Sequence, residues 1–306
     1  MKKNWTLDDM PDQAGKIVLI TGANDGLGFH LTKAFAQKKA HIIMACRNQA
    51  KAEQARNEIL KLYPEAKLDI VKLDLGDLQS VKQAGETVLA NYDKLNIIIC
   101  NGGIMAVPYG KTKDNMEMHM GVNYYGHCAL IGHLMPLIKK TPGARVVTTS
   151  SGAEKLGRLN LADPPTEENY SRWRAYGDSK LAILMLGLML DEKFKKEGLD
   201  ARALSAHPGF AKTNLRNTRL ETEKNPWQRF QLRFYELISM PAERGILPLL
   251  YAATDPNAEG GAYIGVSGIG EIQGQPKISK GQKRAYDQNL RKRLWEKSEQ
   301  LTNVKF

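Results

Sequence analysis

Two residues four positions apart, Tyr176 and Lys180, combine an acid–base side chain with a cation. They fall at the start of a helix predicted over Ala175–Glu197, and the i, i+4 spacing places both side chains on one helix face. A free tyrosine titrates near pH ~10, so acid–base work near neutrality requires a lowered pKa, which a neighbouring ammonium provides. The pair predicts a proton-transfer centre, although the same spacing is also typical of a surface pair.

A second pattern is a glycine-rich loop, residues 21–28 (TGANDGLG), between a predicted strand, Lys16–Thr21, and a predicted helix, Leu27–Lys38. Glycines at such a turn let backbone N–H groups approach a pyrophosphate at the helix N-terminus. The spacing is GxxxGxG, with Asn24 at the second glycine of the common GxGxxG fingerprint, so a purely structural turn is the alternative. The candidate cofactor contacts here are Gly22, Asn24, Asp25, Gly26, Leu27 and Gly28.

The end of the second predicted strand indicates which dinucleotide binds. No acidic residue occurs between His41 and Gln49, where a fold that prefers NAD usually places one for the ribose 2′-hydroxyl. Arg47 stands there instead, and a guanidinium suits a 2′-phosphate. We therefore expect NADP(H) in preference to NAD(H), the alternative being that Arg47 is a solvent-facing loop residue.

The elements that position these residues alternate between strand and helix. Six predicted strands are short, continuously apolar runs, as expected when helices cover both faces of a parallel sheet. They are Lys16–Thr21, His41–Ala45, Leu68–Leu73, Leu95–Cys100, Arg145–Ser150 and Ala201–Ala206. The helices predicted between them are Leu27–Lys38, Ala50–Leu62, Gln79–Tyr92, Asn115–Lys140 and Ala175–Glu197. The pattern predicts an α/β fold: one doubly wound, Rossmann-type domain with a parallel sheet.

We expect this single domain to span residues 1–306, with residues 12–208 as the dinucleotide-binding and catalytic core. Residues 209–244 are polar and basic with interleaved aromatics, which indicates a substrate lid. Residues 245–306 are expected to supply a C-terminal strand and a docking helix. The apolar positions of that helix are Leu290, Leu294, Trp295 and Leu301.

Two segments, Gly121–Ile138 and Leu181–Leu190, are apolar around most of a helix circumference. Such helices are buried on more than one side. Either a second subunit or the C-terminal segment could cover them, so a homodimer and an internally covered monomer are both compatible with the sequence.

Composition excludes several classes of protein. With 306 residues, 42% hydrophobic and 25% charged, the chain is neither disordered nor fibrous. Its longest apolar run, Leu181–Leu190, is too short for a bilayer span of roughly 20 residues. The acidic N-terminal region does not resemble a secretory signal, and three scattered cysteines form no CxxC pair, so we expect a cytoplasmic protein. His119, His127 and His133 lack a metal-ligand spacing, and we interpret them as structural or surface residues.

The net charge of +11 has a local origin, since much of the excess lies between Lys277 and Lys297. A net positive charge is compatible with binding to nucleic acid, to an anionic membrane surface or to a phosphorylated ligand. No nucleic-acid motif accompanies the basic residues. We interpret them as the solvated face of the docking helix.

Taken in order, the motifs form a set. The glycine loop follows strand one, Asn101-Gly102-Gly103 follows strand four, Ser150 and Ser151 follow strand five, and Tyr-x-x-x-Lys lies on the next helix. This set resembles the short-chain dehydrogenase/reductase family from about residue 15 to residue 264. The segment LWEKSE at residues 294–299 resembles the tail of its retinol-dehydrogenase-like branch.

The resemblance implies roles for individual residues. Tyr176 matches the proton donor or acceptor, and Lys180 the residue that assists it and binds the nicotinamide ribose. Ser151 matches the group that orients the substrate oxygen, with Ser150 as the alternative, and Asn123 matches the asparagine of the proton relay. The implied cofactor contacts are Asp74, Leu75, Asn101, Gly102, Gly103, Pro208, Gly209 and Thr213.

Three departures from the family pattern bear on the site. Gly102 replaces the alanine of Asn-Ala-Gly, and Asp25 brings a carboxylate near the expected phosphates. An insertion, Leu159–Trp173, lengthens the path from the serine to the tyrosine, and we expect it to border the substrate. The expected substrate-pocket residues are Met105, Val107, Leu156 and Phe210.

The sequence thus predicts an NADP(H)-dependent oxidoreductase that interconverts a carbonyl and an alcohol. The expected partner is a small-molecule substrate of bulky, apolar shape. Two other classes are compatible with it: a non-catalytic NADP(H)-binding sensor or scaffold, and a basic protein that binds nucleic acid or a membrane surface.

Overall fold

The computed structural model describes residue 2, residues 4–211 and residues 240–306. Most of the expected lid, including Thr213, lies outside the described residues. The aromatic residues assigned to that lid, Trp227, Phe230, Phe234 and Tyr235, lie outside them as well.

In the described part of the chain, eight strands form one sheet with the order β3-β2-β1-β4-β5-β6-β7-β8. The strands are β1 Ile17–Thr21, β2 His41–Cys46, β3 Lys67–Lys72, β4 Ile97–Cys100, β5 Ala144–Thr149, β6 Ala201–Ala206, β7 Tyr263–Val266 and β8 Pro276–Ser279. All neighbours are parallel except β7 and β8, which pair antiparallel. The prediction of a doubly wound α/β sheet is confirmed.

Helices cover both faces of the sheet. They are α1 Gly26–Gln37, α2 Gln49–Leu62, α3 Leu78–Asn91, α4 Gly126–Lys140, α5 Arg172–Lys196, α6 Ala242–Gly245, α7 Leu247–Thr254 and α8 Gln288–Thr302. The core is accordingly split into one apolar layer on each side of the sheet. Because the strands lie between two such layers, they carry apolar residues on both faces, as the sequence pattern predicted.

Polar side chains cap the N-termini of three helices at the carboxyl edge of the sheet. The carboxylate of Asp25 accepts a hydrogen bond from a backbone N–H of α1, Asn48 does the same for α2, and Asp77 for α3. These caps fix the turns that follow β1, β2 and β3. Since the strand order reverses between β1 and β4, a crevice opens there, where doubly wound folds bind their ligands.

The predicted helix Asn115–Lys140 starts later than its periodicity indicates. Thr112 and Met116 close a tight turn through the Thr112 N–H, and Asn115 adopts a left-handed backbone with φ of 60°. One turn of π-helix, Met120–Tyr125, then leads into α4. The prediction was wrong at its start because a local hydrogen-bonded turn interrupts the helix.

The chain itself covers the two apolar helices that raised the question of a dimer. Gly132 of α4 packs directly against Val304, and Leu184 of α5 lies against Gly281. The C-terminal segment, residues 281–306, therefore buries faces that otherwise would need a second subunit. The apolar character of α4 and α5 is thus accounted for within one chain.

Helix α8 docks through a row of residues four apart. Leu290 and Leu294 are buried, and the same row continues to Ser298 and Thr302, whose hydroxyls bond to the carbonyl oxygens of the preceding turn. Leu301, predicted on the docking face, is instead 39% exposed. The prediction failed because a small polar side chain fills the last buried position.

None of the helices in the described residues is long and apolar enough to cross a membrane.

Candidate active site

A cavity of about 770 Å³ lies at the carboxyl edge of the sheet and extends from α2 to α5. The structure brings most of the predicted site residues onto its wall. These are Gly22, Asn24, Asp25, Gly26, Leu27, Arg47, Asp74, Leu75, Asn101, Gly102, Gly103, Met105, Ser151, Leu156, Tyr176, Lys180, Pro208, Gly209 and Phe210. Residues from six βα connections thus converge on one space.

The glycine loop is packed too tightly for side chains. A Cβ added to Gly28 would lie 1.9 Å from the carbonyl oxygen of Gly22, and one added to Gly22 would lie 2.9 Å from the Cα of Gly102. Gly22 also has φ of +65°, which L residues rarely adopt. Gly28 therefore lets α1 approach β1 behind the cavity wall, and Gly22 lets the glycine loop approach the loop after β4.

Replacing Gly28 by alanine is expected to lower the free energy of unfolding by about 3 kcal/mol, because the new methyl group must displace the backbone of Gly22. Gly152→Ala is the matched control, since a Cβ there meets nothing within 4 Å. Chemical denaturation of the two variants measures the difference. Equal stability of both variants would contradict the tight packing of the loop.

Thr21 connects the glycine loop to the loop after β4. Its hydroxyl oxygen accepts hydrogen bonds from the backbone N–H groups of Asn101 and Gly102, at 2.9 and 2.8 Å, and lies 2.9 Å from Nε2 of His127. Burial lowers the pKa of His127 to about 4, so the ring is neutral and its Nε2 accepts the Thr21 proton while Nδ1–H donates to the carbonyl of Asn123. His127 is thus a structural residue, one of the two interpretations given for it from the sequence, whereas no role for Thr21 was predicted.

Tyr176 and Lys180 lie in the first turns of α5, both buried and both on the cavity wall. The Lys180 ammonium is 5.7 Å from the centroid of the Tyr176 ring and donates a hydrogen bond to the carbonyl of Thr149. No carboxylate in the described residues lies within ion-pair distance of this ammonium. Burial lowers the pKa of Lys180 from 10.5 to about 8.

This burial predicts an effect on stability. A Lys180→Met variant is expected to gain on the order of 3 kcal/mol in free energy of unfolding at neutral pH, because it removes a buried charge. Because the pKa of Lys180 is lower in the folded state, the natural protein binds fewer protons than its unfolded chain between pH 8 and pH 10.5. Its stability therefore rises across that window, and the advantage of the variant disappears above it.

Denaturation at several pH values checks this expectation. Lys196→Met serves as the control, since Lys196 is an exposed lysine on the same helix. A gain for Lys180→Met that does not depend on pH would contradict the assignment to a buried charge.

The two serines after β5 have different partners. The hydroxyl of Ser150 is buried and donates to the backbone carbonyl of Lys180 at 2.8 Å. Ser151 begins the short 3-10 helix Gly152–Leu156, its oxygen accepts the N–H of Ala153, and its own proton stays available to the cavity. Of the two serines, Ser151 therefore has the hydroxyl better placed to donate to a molecule in the cavity.

Asn123 lies inside the π-helical turn, a local distortion common at functional sites. Its side-chain oxygen accepts the N–H of Ile104, and its amide donates to the carbonyl of Ile104 and to the hydroxyl of Ser179. Ser179 in turn donates to the carbonyl of Tyr176. Asn123 is not on the cavity wall formed by the described residues; it holds the segment after β4 against α5.

Arg47 and Asp74 lie on the wall at the β2–β3 side of the cavity. Arg47 is exposed in the loop before α2, and Lys51 from the first turn of α2 lines the same space. The Asp74 carboxylate accepts the N–H of Gly76, which fixes its loop. Lys51 was not predicted, and it reaches the cavity because it lies in the first turn of the helix that follows Arg47.

The end of the cavity near Tyr176 is lined by apolar side chains and by two further charged side chains. Met105, Leu156 and Phe210 line it as predicted, together with Trp173 from the insertion. The charged wall residues are Lys155 and Glu271, whose side chains lie 3.8 Å apart. No sequence motif indicates Glu271, which comes from the connection between β7 and β8.

Val107 is not part of the wall formed by the described residues; its N–H donates to His119. Within those same residues, no cluster of three or more His, Cys, Asp or Glu side chains is placed to hold a metal ion. His119 and His127 are buried and hydrogen-bonded.

The fold and the site together define a doubly wound α/β protein with a buried tyrosine and lysine on the wall of its cleft. Comparisons with known proteins agree with this class. Residues 16–224 match the family model described as short chain dehydrogenase. Retinol dehydrogenase 14 of Mus musculus is 32% identical over 303 residues, covering 95% of this chain and 86% of the relative.

Solved structures share the architecture. An uncharacterized protein from Mycobacterium paratuberculosis has a TM-score of 0.80 at 33% identity over 99% of both chains. A short-chain dehydrogenase from Shigella flexneri, solved with NADP, has a TM-score of 0.61 at 22% identity, covering 83% of this chain and 98% of that chain. The chain belongs to the short-chain dehydrogenase/reductase family of oxidoreductases, in its retinol-dehydrogenase-like branch.

Proposed function

We propose that this protein uses NADP(H) to interconvert a carbonyl and an alcohol, with Tyr176 as the general acid and base. The observation that carries the proposal is the shared cavity: Tyr176 and Lys180 line the same space as the glycine loop and Arg47. A dinucleotide that extends from Arg47, before α2, to the Tyr176 phenol on α5 would meet all of these groups.

The residues present fit such a cofactor. The cavity is long, and its middle is formed by glycines whose missing side chains leave room for a ligand beside the backbone. Gly22, Gly26, Gly102 and Gly103 all lie on this part of the wall. The N-terminus of α1 would hold the pyrophosphate, Asp74 the adenine, and Arg47 with Lys51 the 2′-phosphate.

When bound, NADP(H) supplies or accepts the hydride. In the direction of reduction, the Tyr176 hydroxyl donates its proton to the carbonyl oxygen, and the Lys180 ammonium stabilises the phenolate that remains. The Ser151 hydroxyl donates a hydrogen bond to the same oxygen and stabilises the negative charge that develops on it. Asn123 holds the loop after β4 in place for the proton relay. Oxidation uses the same groups in reverse.

The proposed substrate is a bulky apolar aldehyde, ketone or alcohol, such as one of retinoid or steroid shape. Leu156 and Trp173 support it, because they border the cavity near Tyr176 and yet are 55% and 41% exposed. Exposed apolar side chains beside a cavity favour an apolar ligand. The name of the mouse relative, a retinol dehydrogenase, agrees with that chemistry.

Purified protein incubated with NADPH and a panel of carbonyls tests this function through the loss of reduced-nicotinamide absorbance. The panel contains retinoid aldehydes, steroid ketones, long-chain aldehydes and small polar carbonyls, and the matching alcohols are tested with NADP⁺. Turnover is expected with bulky apolar members and to be faster with NADPH than with NADH. Absence of turnover in both directions across the panel would overturn the proposal.

The proposed setting is the cytoplasm. Cys46, Cys100 and Cys128 are free and buried, which suits a reducing compartment. Peripheral contact with a membrane surface and homodimer formation remain predictions that gel filtration and vesicle sedimentation would test.

A further inference from the structure

A buried polar cluster lies beside Tyr176 and has no role in the chemistry proposed above. It consists of Glu117, His119 and Tyr170, which we call the Glu–His–Tyr cluster. The His119 side chain is fully buried and that of Glu117 is 8% exposed. Burying a carboxylate is costly unless hydrogen bonds compensate, so the cluster calls for an explanation.

The hydrogen bonds of the cluster define one arrangement. The N–H of Val107 donates to Nε2 of His119 at 3.2 Å, so the ring proton is on Nδ1. Nδ1 lies 3.0 Å from Glu117 Oε1 and 2.8 Å from the Tyr170 hydroxyl, which itself donates to Glu117 Oε1 at 2.7 Å. The other carboxylate oxygen accepts the N–H of Met120.

Charge and protonation agree with this arrangement. Burial acts to raise the pKa of Glu117, but hydrogen bonds from His119 and from backbone N–H groups outweigh it, so the pKa lies below its ordinary value. Burial and the adjacent carboxylate raise the pKa of Tyr170 well above its usual range, so its hydroxyl stays a donor. Near neutral pH, Glu117 is therefore an acceptor of these hydrogen bonds and Tyr170 a donor.

The cluster joins three segments that border the substrate end of the cavity. Val107 belongs to the segment after β4, Glu117 and His119 to the turn before the π-helix, and Tyr170 to the insertion. The His119 ring lies 6.1 Å from the Tyr176 ring, between centroids, and stacks on Tyr170 at 6.3 Å. Residue 173 of the insertion, a tryptophan, contacts the Tyr176 ring edge-on at 6.2 Å.

We propose that His119 is a positioning residue for Tyr176. Glu117 and Tyr170 hold the His119 imidazole in place, and the imidazole packs beside the phenol ring of Tyr176 and keeps it in the orientation that proton transfer requires. The inference rests on the proposed function, since it assigns His119 to the same acid–base step. It also explains what holds the insertion beside the site, because the cluster ties Tyr170 to the turn before the π-helix.

Two variants test the proposal. Tyr170→Phe removes one hydroxyl, and we expect kcat to fall about tenfold, while His119→Phe removes the whole hydrogen-bonded wall and is expected to cost about a hundredfold. KM and the Kd of NADPH should stay within about twofold, because the cofactor contacts are elsewhere. The control is Tyr109→Phe: Tyr109 packs on Tyr170 at 5.2 Å, but its hydroxyl makes no hydrogen bond to another described residue.

A purely structural role predicts a different outcome. His119→Phe leaves the Glu117 carboxylate short of a partner, which lowers stability, and adding Glu117→Gln relieves that charge. We expect the double variant to recover the thermal midpoint but not kcat, measured per molecule that binds NADPH. Recovery of kcat together with stability, or an unchanged kcat in Tyr170→Phe and His119→Phe, would overturn the positioning role.

A readout without turnover separates this proposal from the proposed function. In protein with isotope-labelled tyrosine, the NMR signal of Tyr176 is assigned by its loss in Tyr176→Phe. We expect one narrow signal in the natural protein and a shifted or broadened one in His119→Phe, whereas Tyr109→Phe leaves it unchanged. An undisturbed signal overturns the positioning role. If the natural protein turns over no substrate, the proposed function fails, and a disturbed signal still supports the position of His119.

Discussion

Tyr176→Phe is expected to lower kcat by about a thousandfold, since the variant keeps the ring but loses the proton that general acid catalysis requires. The Kd of NADPH should change by less than about threefold, because the phenyl ring still fills its place on α5 and Lys180 remains on the cavity wall. Steady-state kinetics and a fluorescence titration with NADPH measure the two quantities separately.

Tyr63→Phe is the matched control for this variant. Tyr63 follows α2, and its hydroxyl donates to Gln37 on the protein surface, so its loss should leave turnover unchanged. Turnover of Tyr176→Phe within about tenfold of the natural protein would contradict the assignment of Tyr176 as the acid and base.

Arg47→Ala is expected to weaken NADPH binding by about 10- to 100-fold, the range of a lost charge-assisted hydrogen bond to a phosphate. NADH has no 2′-phosphate, so its affinity should hardly change. Lys51→Ala should act in the same direction, since Lys51 lines the same end of the cavity. Arg47→Asp should go further and favour NADH, because a carboxylate can accept the ribose 2′-hydroxyl.

Binding titrations with both cofactors measure this preference, and Lys61→Ala is the control. Lys61 is an exposed lysine in the last turn of α2, remote from the cavity wall. A parallel loss of affinity for NADPH and NADH in Arg47→Ala would contradict recognition of the 2′-phosphate.

The sequence predicted the sheet well because each strand carries its own signal. Runs such as KIVLIT are apolar, β-branched and bounded by turns, and the observed β1, Ile17–Thr21, differs from the prediction by one residue. Errors arose where local hydrogen bonds compete with periodicity. The turn closed by Thr112 and Met116 delays the helix, and Thr302 takes a buried position expected for Leu301.

The site was predictable where its residues occur in motifs, and less so where the fold alone brings them together. Tyr176, Lys180 and the glycine loop each carry a spacing that chemistry requires. Trp173 reaches the cavity from the insertion that was expected to border the substrate, whereas Glu271 reaches it from a turn beyond β7, which has no pattern that indicates a ligand. His119 was interpreted only as a structural or surface residue, because its contact with Tyr176 depends on three segments that fold together.

The basic C-terminal region illustrates how net charge alone misleads. Lys277 pairs with Glu271 at 3.0 Å, Arg291 with Glu192 at 2.6 Å, and Lys297 donates to a backbone carbonyl. These cations hold the C-terminal segment on the core. They favour the interpretation of a docked helix with a solvated basic face. A gel shift with nucleic acid that persists at moderate salt would support the nucleic-acid alternative instead.

The central claim is that the Tyr176 phenol meets the reacting end of a bound nicotinamide dinucleotide, and a crystal structure of the complex with NADP⁺ tests it most directly. We predict that the nicotinamide occupies the Tyr176 end of the cavity, with the Tyr176 hydroxyl within about 5 Å of its C4 atom and Arg47 on the 2′-phosphate. A nicotinamide bound elsewhere, or a phenol turned away from it beyond that distance, would contradict the account.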